Sequence, residues 1–316
     1  MSNQKLAIVA FGGNALIEDD ARCSILDQSA TVEKNVTYIV DLVEAGWRVL
    51  LTHGNGPQVG FILRRSDLAA CEVAPVPVDY AVGDTQGAIG YMFQRALTNE
   101  LRRRGLNTPV VALVTQTLVD ENDPAFDTPC KPIGGFMDEA TAKANEDKYG
   151  WTVVEDSGRG WRRAVPSPRP KDIVELDVIE KLLDTGALVI AGGGGGIPVC
   201  ETTEGQLQGL EAVVDKDLTT ALLASKLNAD AFIIPTGVEK VAINFGRPDQ
   251  QWLDTLSVDE AARLSEEGQF GEGSMKPKVE ALLSYVRNHD SAIGIITSPQ
   301  SLAKALAGDT GTRIVK

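Results

Sequence analysis

Short apolar runs alternate with longer amphipathic stretches along most of the chain. Runs with the length and composition of buried strands are Leu6–Ala10, Arg48–Thr52, Val110–Thr115, Ala187–Ala191, Ala231–Ile234 and Ala292–Thr297. Between them, apolar residues recur at helical spacing in Thr31–Ala45, Gln86–Arg104 and Ile173–Thr185. This alternation predicts an α/β fold with a mostly parallel sheet and helices on both of its faces. In such sheets, ligands bind beyond the carboxyl ends of the strands.

One segment interrupts the alternation. Residues 120–171 are polar, rich in proline and glycine, and without long periodicity. A loop of that length with no structure of its own is uncommon in a compact domain. We therefore expect residues 120–171 to form a small inserted subdomain, resembling a lid, within a single domain that spans residues 1–316.

The composition is typical of a folded, soluble protein. Hydrophobic residues make up 43% of the chain and charged residues 23%. No apolar stretch reaches the roughly 18–20 residues of a membrane helix, and the N-terminus reads as a strand rather than a signal peptide, so a cytoplasmic location is expected. The net charge of −14 argues against a nucleic-acid partner, and it means that an anionic ligand would need a local cluster of positive charge.

Cysteine and histidine are scarce. Cys23, Cys71, Cys130 and Cys200 lie far apart in the sequence, so neither a disulfide framework nor a zinc site is predicted. The chain has 2 histidines, which disfavours a mechanism that needs a cysteine–histidine or multi-histidine cluster.

Three glycine-rich loops each follow an apolar strand. They contain Gly12–Gly13, Gly54 of THGNGPQVG, and the consecutive glycines at 192–196. Backbone N–H groups in such loops can converge on phosphate oxygens, and a helix that follows adds its positive end. One loop of this kind is better explained as a tight turn, but three in the same context favour anion binding. No GxxxxGK[ST] P-loop occurs, and GNGPQVG is only a loose variant of the dinucleotide fingerprint.

Several lysines stand where a helix disfavours positive charge. Asp215 is a typical N-cap residue, so Lys216 falls in the first turn of the helix that follows. Lys276 and Lys278 flank Pro277, which suits a first helical position. The helix dipole disfavours a cation there by about 0.3–1 kcal/mol. Such lysines either point into water or hold an anion together with the free N–H groups, and the recurrence favours an anion.

Two further residues carry no such signal. From its position alone, Lys131 is interpreted as a solvated loop lysine, and His53 as a packed histidine. The glycine loops and the helical lysines together indicate an enzyme that holds a highly anionic ligand. Phosphoryl transfer fits this description, because its catalysis is mostly positioning and charge neutralisation. We expect Mg²⁺ to arrive with the nucleotide phosphates, and we predict no metal ligand among the protein side chains.

At these residues the sequence resembles the carbamate kinases of the amino acid kinase superfamily. The matching stretches run in order from end to end: FGGNAL, THGNGPQVG, GDTQGAIGYM, TQTLVD, KPIG, GRGWRRAVPSPRP, GGGGIPV, LEAVVDKDLTTALLA, GSMKPKVEA and GDTGTRIV. The resemblance implies a three-layer αβα sandwich around one open sheet, and a homodimer. It also implies the reversible reaction of ATP with carbamate to give ADP and carbamoyl phosphate, often run towards ATP, in arginine or purine/allantoin catabolism.

The same resemblance assigns roles to residues. The carbamoyl and phosphoryl groups would be held by Gly12, Gly13, Asn14, Gly54 and Asn55. Charge on the transferring group would be neutralised by Lys131, reaching in from the inserted subdomain, and by Lys216 and Lys278, with Asp215 orienting the lysines. The nucleotide would be bound by Gly193, Gly194, Gly195, Thr236, Gly237, Val238, Ser274, Met275 and Lys276. The carbamate lobe would span about 1–185 and the nucleotide lobe about 186–316.

Three positions depart from the family pattern on the nucleotide half. Gly237 stands where an aspartate is common, Ala242 where an aromatic residue is common, and Lys276 where glycine is usual. These departures bear on nucleotide preference more than on the class of reaction. They keep two alternatives open beside carbamate kinase: a related kinase for another small carboxylate or acylated amino acid, and a catalytically weak, nucleotide-sensing homologue. A dinucleotide oxidoreductase has the least support.

Overall fold

Strands and helices alternate through most of the chain. The computed structural model describes residues 4–13, 16–17, 22–156, 158–289 and 291–316. The strands are β1 (Leu6–Phe11), β2 (Arg48–His53), β3 (Val110–Ala112), β4 (Gln116–Leu118), β5 (Lys131–Met137), β6 (Thr152–Glu155), β7 (Trp161–Val165), β8 (Asp172–Ile173), β9 (Leu188–Ile190), β10 (Ile197–Glu201), β11 (Leu207–Gly209), β12 (Ala231–Pro235), β13 (Val241–Ile243), β14 (Gln251–Leu253), β15 (Thr255–Ser257), β16 (Ile293–Thr297) and β17 (Thr312–Val315). The α-helices are α1 (Ile25–Glu44), α2 (Gly56–Ala69), α3 (Val78–Arg103), α4 (Glu139–Tyr149), α5 (Leu176–Asp184), α6 (Lys216–Lys226), α7 (Val258–Glu266), α8 (Lys276–Val286) and α9 (Leu302–Ala307).

The predicted αβα sandwich is confirmed. An eight-stranded sheet has the order β15-β17-β16-β12-β1-β2-β9-β3, and all neighbours pair in parallel except β16 with β17. Strand β1 is buried throughout, and its alternate residues face two separate apolar cores. One core contains side chains of α1, α3 and α9, and the other contains side chains of α5, α6, α7 and α8. The sheet is therefore covered on both faces, as its continuous apolar strands require.

Helix starts differ from the predicted ones more than strand positions do. Helix α1 begins at Ile25, six residues before the predicted start, because Ser24 and Asp27 form a reciprocal capping box. Helix α5 begins at Leu176, since residues 172–173 instead pair with β4 as strand β8. Among the described residues, no helix is both long and apolar enough to cross a membrane.

The interrupting segment has a structure of its own. Strands β5, β7 and β6 form an antiparallel sheet separate from the central one, and α4 packs against β6 and β7. The chain leaves for this subdomain after β4 and returns at β8, and these two strands pair side by side. Strand β5 contacts α2 so closely that a Cβ on Gly60 would lie 2.2 Å from the Cα of Gly134. The inserted subdomain therefore rests directly on the helix that follows the loop at Gly54.

The topology brings several loops to one edge of the sheet. Strands β16, β12, β1, β2 and β9 are parallel neighbours, so their carboxyl ends lie at the same edge in that order. Phe11 pairs with His53, which sets Gly12–Gly13 beside Gly54. The glycines at 192–196 follow β9 on the other side of β2, whereas Thr236 follows β12 on the other side of β1. This edge is where a ligand is expected in an open α/β sheet.

Candidate active site at the carboxyl edge of the sheet

The N-terminus of α6 is the centre of the site. Asp215 is the N-cap, as predicted, and its Oδ1 accepts hydrogen bonds from the backbone N–H of Asp217 at 2.9 Å and of Leu218 at 3.4 Å. Lys216 is the first residue of the helix, and its Nζ lies 3.4 Å from the carbonyl oxygen of Ala10 in β1. The cap thus fixes two acidic side chains and one lysine next to the first glycine loop.

Lysines from three separate segments converge on these two carboxylates. Lys131 of the inserted subdomain places its Nζ 2.7 Å from Asp215 Oδ2. Lys216 donates to Oδ1 of Asp217, and Lys278 of α8 donates to Oδ2 of the same carboxylate at 3.2 Å. Lys131 is 84 positions from Asp215 in the sequence, and Lys278 is 61 from Asp217. The fold therefore brings together the three lysines that the family resemblance assigned to the transferring group.

The two carboxylates remain ionised despite their burial. Burial opposes the charge on Asp215, but the ammonium groups of Lys131 and Lys216 outweigh it and lower the pKa of this residue to about 2. Burial also opposes the charge on Asp217, and Lys216 and Lys278 lower its pKa as well. For Lys216, burial lowers the pKa, Asp217 raises it, and the positive charge of Lys278 lowers it further, with a net decrease. The cluster is thus a compact set of coupled charges with one net positive charge.

The first two glycine loops contact one another and leave open space beside them. Gly54 donates its N–H to the carbonyl of Phe11 at 2.8 Å, and a Cβ on Gly54 would lie 3.3 Å from the Gly13 nitrogen. A Cβ on Gly12 or Gly13 would meet no atom of the described residues within 4 Å. Among those residues, nothing obstructs the approach of a ligand to this backbone. Asn14 lies outside the described residues.

The third glycine loop is held by close packing inside the protein. Gly193–Gly195 form a buried 3₁₀ turn, and the Gly195 carbonyl accepts hydrogen bonds from Thr117 and Thr219, each at 2.8 Å. A Cβ on Gly194 would lie 2.0 Å from Asn55 Nδ2. Gly194 also has a φ of 66°, which a side chain would disfavour. The sheet order places this turn beside the Gly54–Asn55 loop, and two strands, β2 and β1, separate its strand from the strand that precedes Thr236.

His53 and Asn55 make contacts that hold the loops in place. His53 is buried, stacks on Phe93 with ring centroids 6.0 Å apart, and places its Nδ1 3.1 Å from the Gly54 carbonyl oxygen. Burial lowers the pKa of His53 to about 4, so the ring is neutral at pH 7. The buried Asn55 donates from Nδ2 to Thr85 Oγ1 at 2.9 Å. Both side chains are fixed by protein partners. For His53, this agrees with its interpretation as a packed histidine.

The segments expected on the nucleotide side lie at β12 and α8. Thr236, Gly237 and Val238 follow β12, and the Thr236 N–H donates to the Thr297 carbonyl at 2.7 Å. Ser274 and Met275 immediately precede α8, and the helix begins at Lys276, one residue before Pro277. Lys276 pairs with the exposed Glu272 at 2.8 Å instead of joining the lysine cluster.

Sequence reasoning missed Asp217. Its carboxylate is buried and bridges Lys216 and Lys278, whereas the family resemblance assigned the orientation of the lysines to Asp215. Asp215 contacts Lys131, so the two aspartates pair with different lysines. An acidic residue in the first helical turn is ordinarily explained by the helix dipole, so its position alone does not mark Asp217 as a partner of the lysines. The signal that could have found it is the alternation Asp-Lys-Asp at a helix start.

The described residues contain no group of three or more histidine, cysteine, aspartate or glutamate side chains that could hold a metal ion. Both carboxylates of the cluster are already paired with ammonium groups. Three lysines and two aspartates leave the cluster with an excess of positive charge.

Comparison with known proteins identifies the family. Residues 5–297 match the family model described as "Amino acid kinase family". Carbamate kinase of Thermococcus kodakarensis is 47% identical to the chain over 315 residues, covering 99% of each protein. Carbamate kinase-like protein YahI of Escherichia coli is also 47% identical, over 319 residues and 99% of each protein.

Solved structures give the same result. The structure of carbamate kinase from Giardia lamblia bound to AMP-PNP superposes with a TM-score of 0.92 at 40% identity, over 100% of both chains. Identity at this level over the full length exceeds what a shared fold alone would produce. The chain belongs to the amino acid kinase family, and its matched relatives within that family include carbamate kinases and carbamate kinase-like proteins.

Proposed function

We propose that the protein is a carbamate kinase, which transfers a phosphoryl group between ATP and carbamate and forms ADP and carbamoyl phosphate reversibly. The observation that carries this proposal is the convergence of Lys131, Lys216 and Lys278 on two aspartates at the start of α6. The carbamate kinases at 47% and 40% identity support the choice of substrates.

The lysines neutralise the charge that builds up on the transferring group. Each ammonium group has three N–H donors, and a carboxylate contact leaves donors for phosphoryl oxygens. Asp215 and Asp217 hold the ammonium groups in position before the substrate arrives, so little reorganisation is needed during the reaction. Gly12, Gly13 and Gly54 present backbone next to this cluster, and the proposal assigns them, with Asn14 and Asn55, to the carbamoyl and phosphoryl groups.

The nucleotide is assigned to the lobe beyond β9. Thr236–Val238 would border the base and ribose, and Ser274–Lys276 the phosphates nearest α8. Gly193–Gly195 were expected on the nucleotide side as well, and their position beside Gly54 and Asn55 supports contact with the transferring group instead. A kinase of this family uses ATP and ADP.

We further propose that Mg²⁺ accompanies the nucleotide. The described side chains do not form a site for the ion, because both clustered carboxylates are paired with lysines. Nucleotide phosphates and water would supply its ligands. We place the enzyme in the cytoplasm, where its nucleotide substrates are available.

A homodimer is supported by an exposed apolar surface near α1 and α3. Two adjoining hollows share Tyr91 and Arg95, and Ile25 and Val114 border them. Ile25 is 68% exposed and Tyr91 62%, which is high for side chains of this size. Light scattering after size-exclusion chromatography should give twice the chain mass, and Tyr91→Glu should shift the population towards monomer.

The proposed activity is tested by ATP formation. Purified protein is mixed with carbamoyl phosphate, ADP and Mg²⁺, and ATP is measured with luciferase. Steady formation of ATP that depends on both substrates would support the proposal. Absence of ATP at micromolar enzyme, from protein with a cooperative unfolding transition, would contradict it and leave a different small carboxylate or a sensing role.

A further inference from the structure

A second cavity lies outside the lysine cluster, between α2 and the inserted subdomain. Its volume is about 580 Å³, within the roughly 300–1,000 Å³ that is typical of small-ligand sites. Helix α2 contributes Leu63, Arg64 and Asp67, and the subdomain contributes Phe136, Trp151 and Arg163. The mechanism proposed above uses none of these side chains.

Arg163 is the distinctive group of this cavity. Its side chain is only 22% exposed, yet among the described residues its guanidinium donates no hydrogen bond, and Glu211 Oε2 is 4.0 Å away. Burial lowers the pKa of Arg163, and nearby Glu211 and Asp67 oppose that decrease. A half-buried guanidinium with donors free is matched in shape and charge to a carboxylate, which it can bind through two parallel hydrogen bonds.

The opposite charges around the cavity limit the charge of a ligand. Arg64 and Arg163 are balanced by Asp67 and Asp138, so the lining has no net formal charge. Burial raises the pKa of Asp67, and the nearby Arg163 and Arg64 oppose that increase. A ligand with one negative charge can pair with Arg163, whereas the two carboxylates would repel the further charges of a polyphosphate. The lining therefore favours a monoanion.

The remaining wall favours an apolar body. The Arg163 guanidinium lies over the Trp151 ring, 4.9 Å from its centroid. Leu63, Phe136 and Met137 add apolar surface to the same cavity. A flat ring placed against Trp151 would extend this stack and bury apolar area.

We propose that this cavity binds a small monocarboxylate with an aromatic or apolar body, with the carboxylate on Arg163 and the body against Trp151. Strand β5 begins at Lys131, and Ile133–Met137 of the same strand line the cavity, so an occupant contacts the element that holds the catalytic lysine. Binding itself requires no kinase activity, and its test is independent of the proposed reaction.

The test uses phenylacetate and its neutral counterpart phenylacetamide as probes of the intact protein without nucleotide. Binding is followed by calorimetry and by NMR of the protein labelled with ¹⁵N-tryptophan. The sequence has 4 tryptophans, so 4 indole N–H signals are expected. Arg163→Gln removes the proposed anchor. Arg102→Gln is the matched control, because Arg102 is an exposed arginine on α3 that does not line the cavity.

We expect phenylacetate to bind at least tenfold more tightly than phenylacetamide and to shift the Trp151 signal, assigned with Trp151→Phe. Arg163→Gln should weaken phenylacetate binding by roughly tenfold or more, as loss of charged hydrogen bonds does, and Arg102→Gln should leave it unchanged. Equal affinity for the two probes, unaltered binding by Arg163→Gln, or no binding at millimolar probe would overturn the proposal. If Arg163→Gln does not fold, the comparison of the two probes on the unsubstituted protein decides alone.

Discussion

Lys216 and Lys276 occupy the same local position and have opposite surroundings. Each is the first residue of a helix, α6 and α8 respectively, where the dipole disfavours a cation. Lys216 has a 12% exposed side chain and contacts Asp217, and burial gives it a lowered pKa. Lys276 reaches out to Glu272, which is 77% exposed, and that hydrogen bond raises the pKa of Lys276. The same sequence signal therefore led to a buried cluster once and to a surface ion pair once.

The difference comes from partners distant in sequence. Lys216 contacts the Ala10 carbonyl of β1 and shares Asp217 with Lys278 of α8, whereas Glu272 is a local partner four residues from Lys276. A buried charge that keeps its charge needs a fixed counter-charge, and a surface charge is already stabilised by water. A conflict with the helix dipole thus does not by itself predict whether a lysine lies in a buried cluster or in a solvent-screened pair.

The largest effect on turnover should come from alanine substitutions of the lysines in the buried cluster. Lys216→Ala should lower turnover in ATP formation by about 10²–10³-fold, the usual cost of removing one donor to a charged transition state. Lys278→Ala should have an effect of similar size. Cooperative unfolding should persist in Lys216→Ala, because Asp217 retains Lys278 as a partner.

The control for this experiment is Lys143→Ala, which removes an exposed lysine that pairs with Glu139 on α4. It should leave turnover unchanged. Near-normal turnover of Lys216→Ala or Lys278→Ala would show that the buried cluster does not act on the transferring group.

Asp217→Asn should have the next largest effect, since it removes the counter-charge and keeps the shape. Lys216 and Lys278 would then lie close together with no carboxylate between them. Removing one partner of a buried ion pair typically lowers the free energy of unfolding by about 3–5 kcal/mol. In urea unfolding we expect a decrease near the lower end of that range. Turnover should fall by about 10–100-fold.

Asp172→Asn is the matched surface substitution, because Asp172 is 46% exposed and pairs with Lys226 at 3.0 Å. It should change stability by less than about 1 kcal/mol. Equal losses from Asp172→Asn and Asp217→Asn would mean that burial does not distinguish the two pairs.

The framework of the fold was predictable because its signals are local. The apolar runs of β1, β2, β9, β12 and β16 are buried from both faces, so composition alone locates them. The N-cap at Asp215 is likewise set by neighbouring residues. The predicted helix starts were less accurate. Helix α3 begins at Val78, eight residues before the predicted start, and no side-chain cap marks that position.

The site was predictable only in part, because its contacts join distant segments. The sequence could place lysines at helix starts, but the contact between Lys131 and Asp215 depends on the packing of β5 against α2, where Gly60 meets Gly134. The position of Lys131 in the sequence predicts only a solvated loop lysine, and the family resemblance is what assigns it to the transferring group. The role of Gly194 is also tertiary, since its missing side chain makes room for Asn55.

The pairing of Asp215 with Lys131 should appear as an acid-dependent loss of stability. The pKa of Asp215 is lowered in the folded protein from 3.8 to about 2, so the unfolded state binds a proton first as the pH falls. The contribution of this pair is therefore complete above about pH 4 and is lost as the pH falls towards 2. Asp215→Asn retains a good N-cap and should remove roughly 1–2 kcal/mol at pH 7 and almost nothing near pH 2.

Asp138→Asn is the matched control for Asp215→Asn. Asp138 also caps a helix and accepts the Thr141 N–H at 2.7 Å, and the structure shows no lysine paired with it among the described residues. Urea unfolding from pH 7 to pH 2 should show a larger change with pH for the Asp215 pair than for Asp138. Parallel curves for the two substitutions would assign the effect to helix capping alone.

The smallest effect should come from Lys276→Gln, which removes a lysine that lies outside the buried cluster. Its Nζ pairs with exposed Glu272, and solvent screens such a pair strongly. We expect no measurable change in the urea midpoint and a turnover within about twofold of the unsubstituted protein. The KM for ADP is the sensitive measurement, because Lys276 is among the residues assigned to the nucleotide. A tenfold rise in that KM, with the KM for carbamoyl phosphate unchanged, would mean that Lys276 leaves Glu272 for a nucleotide phosphate. Lys216 and Lys276 would then differ in the substrate group that each contacts, and not only in how deeply each is buried.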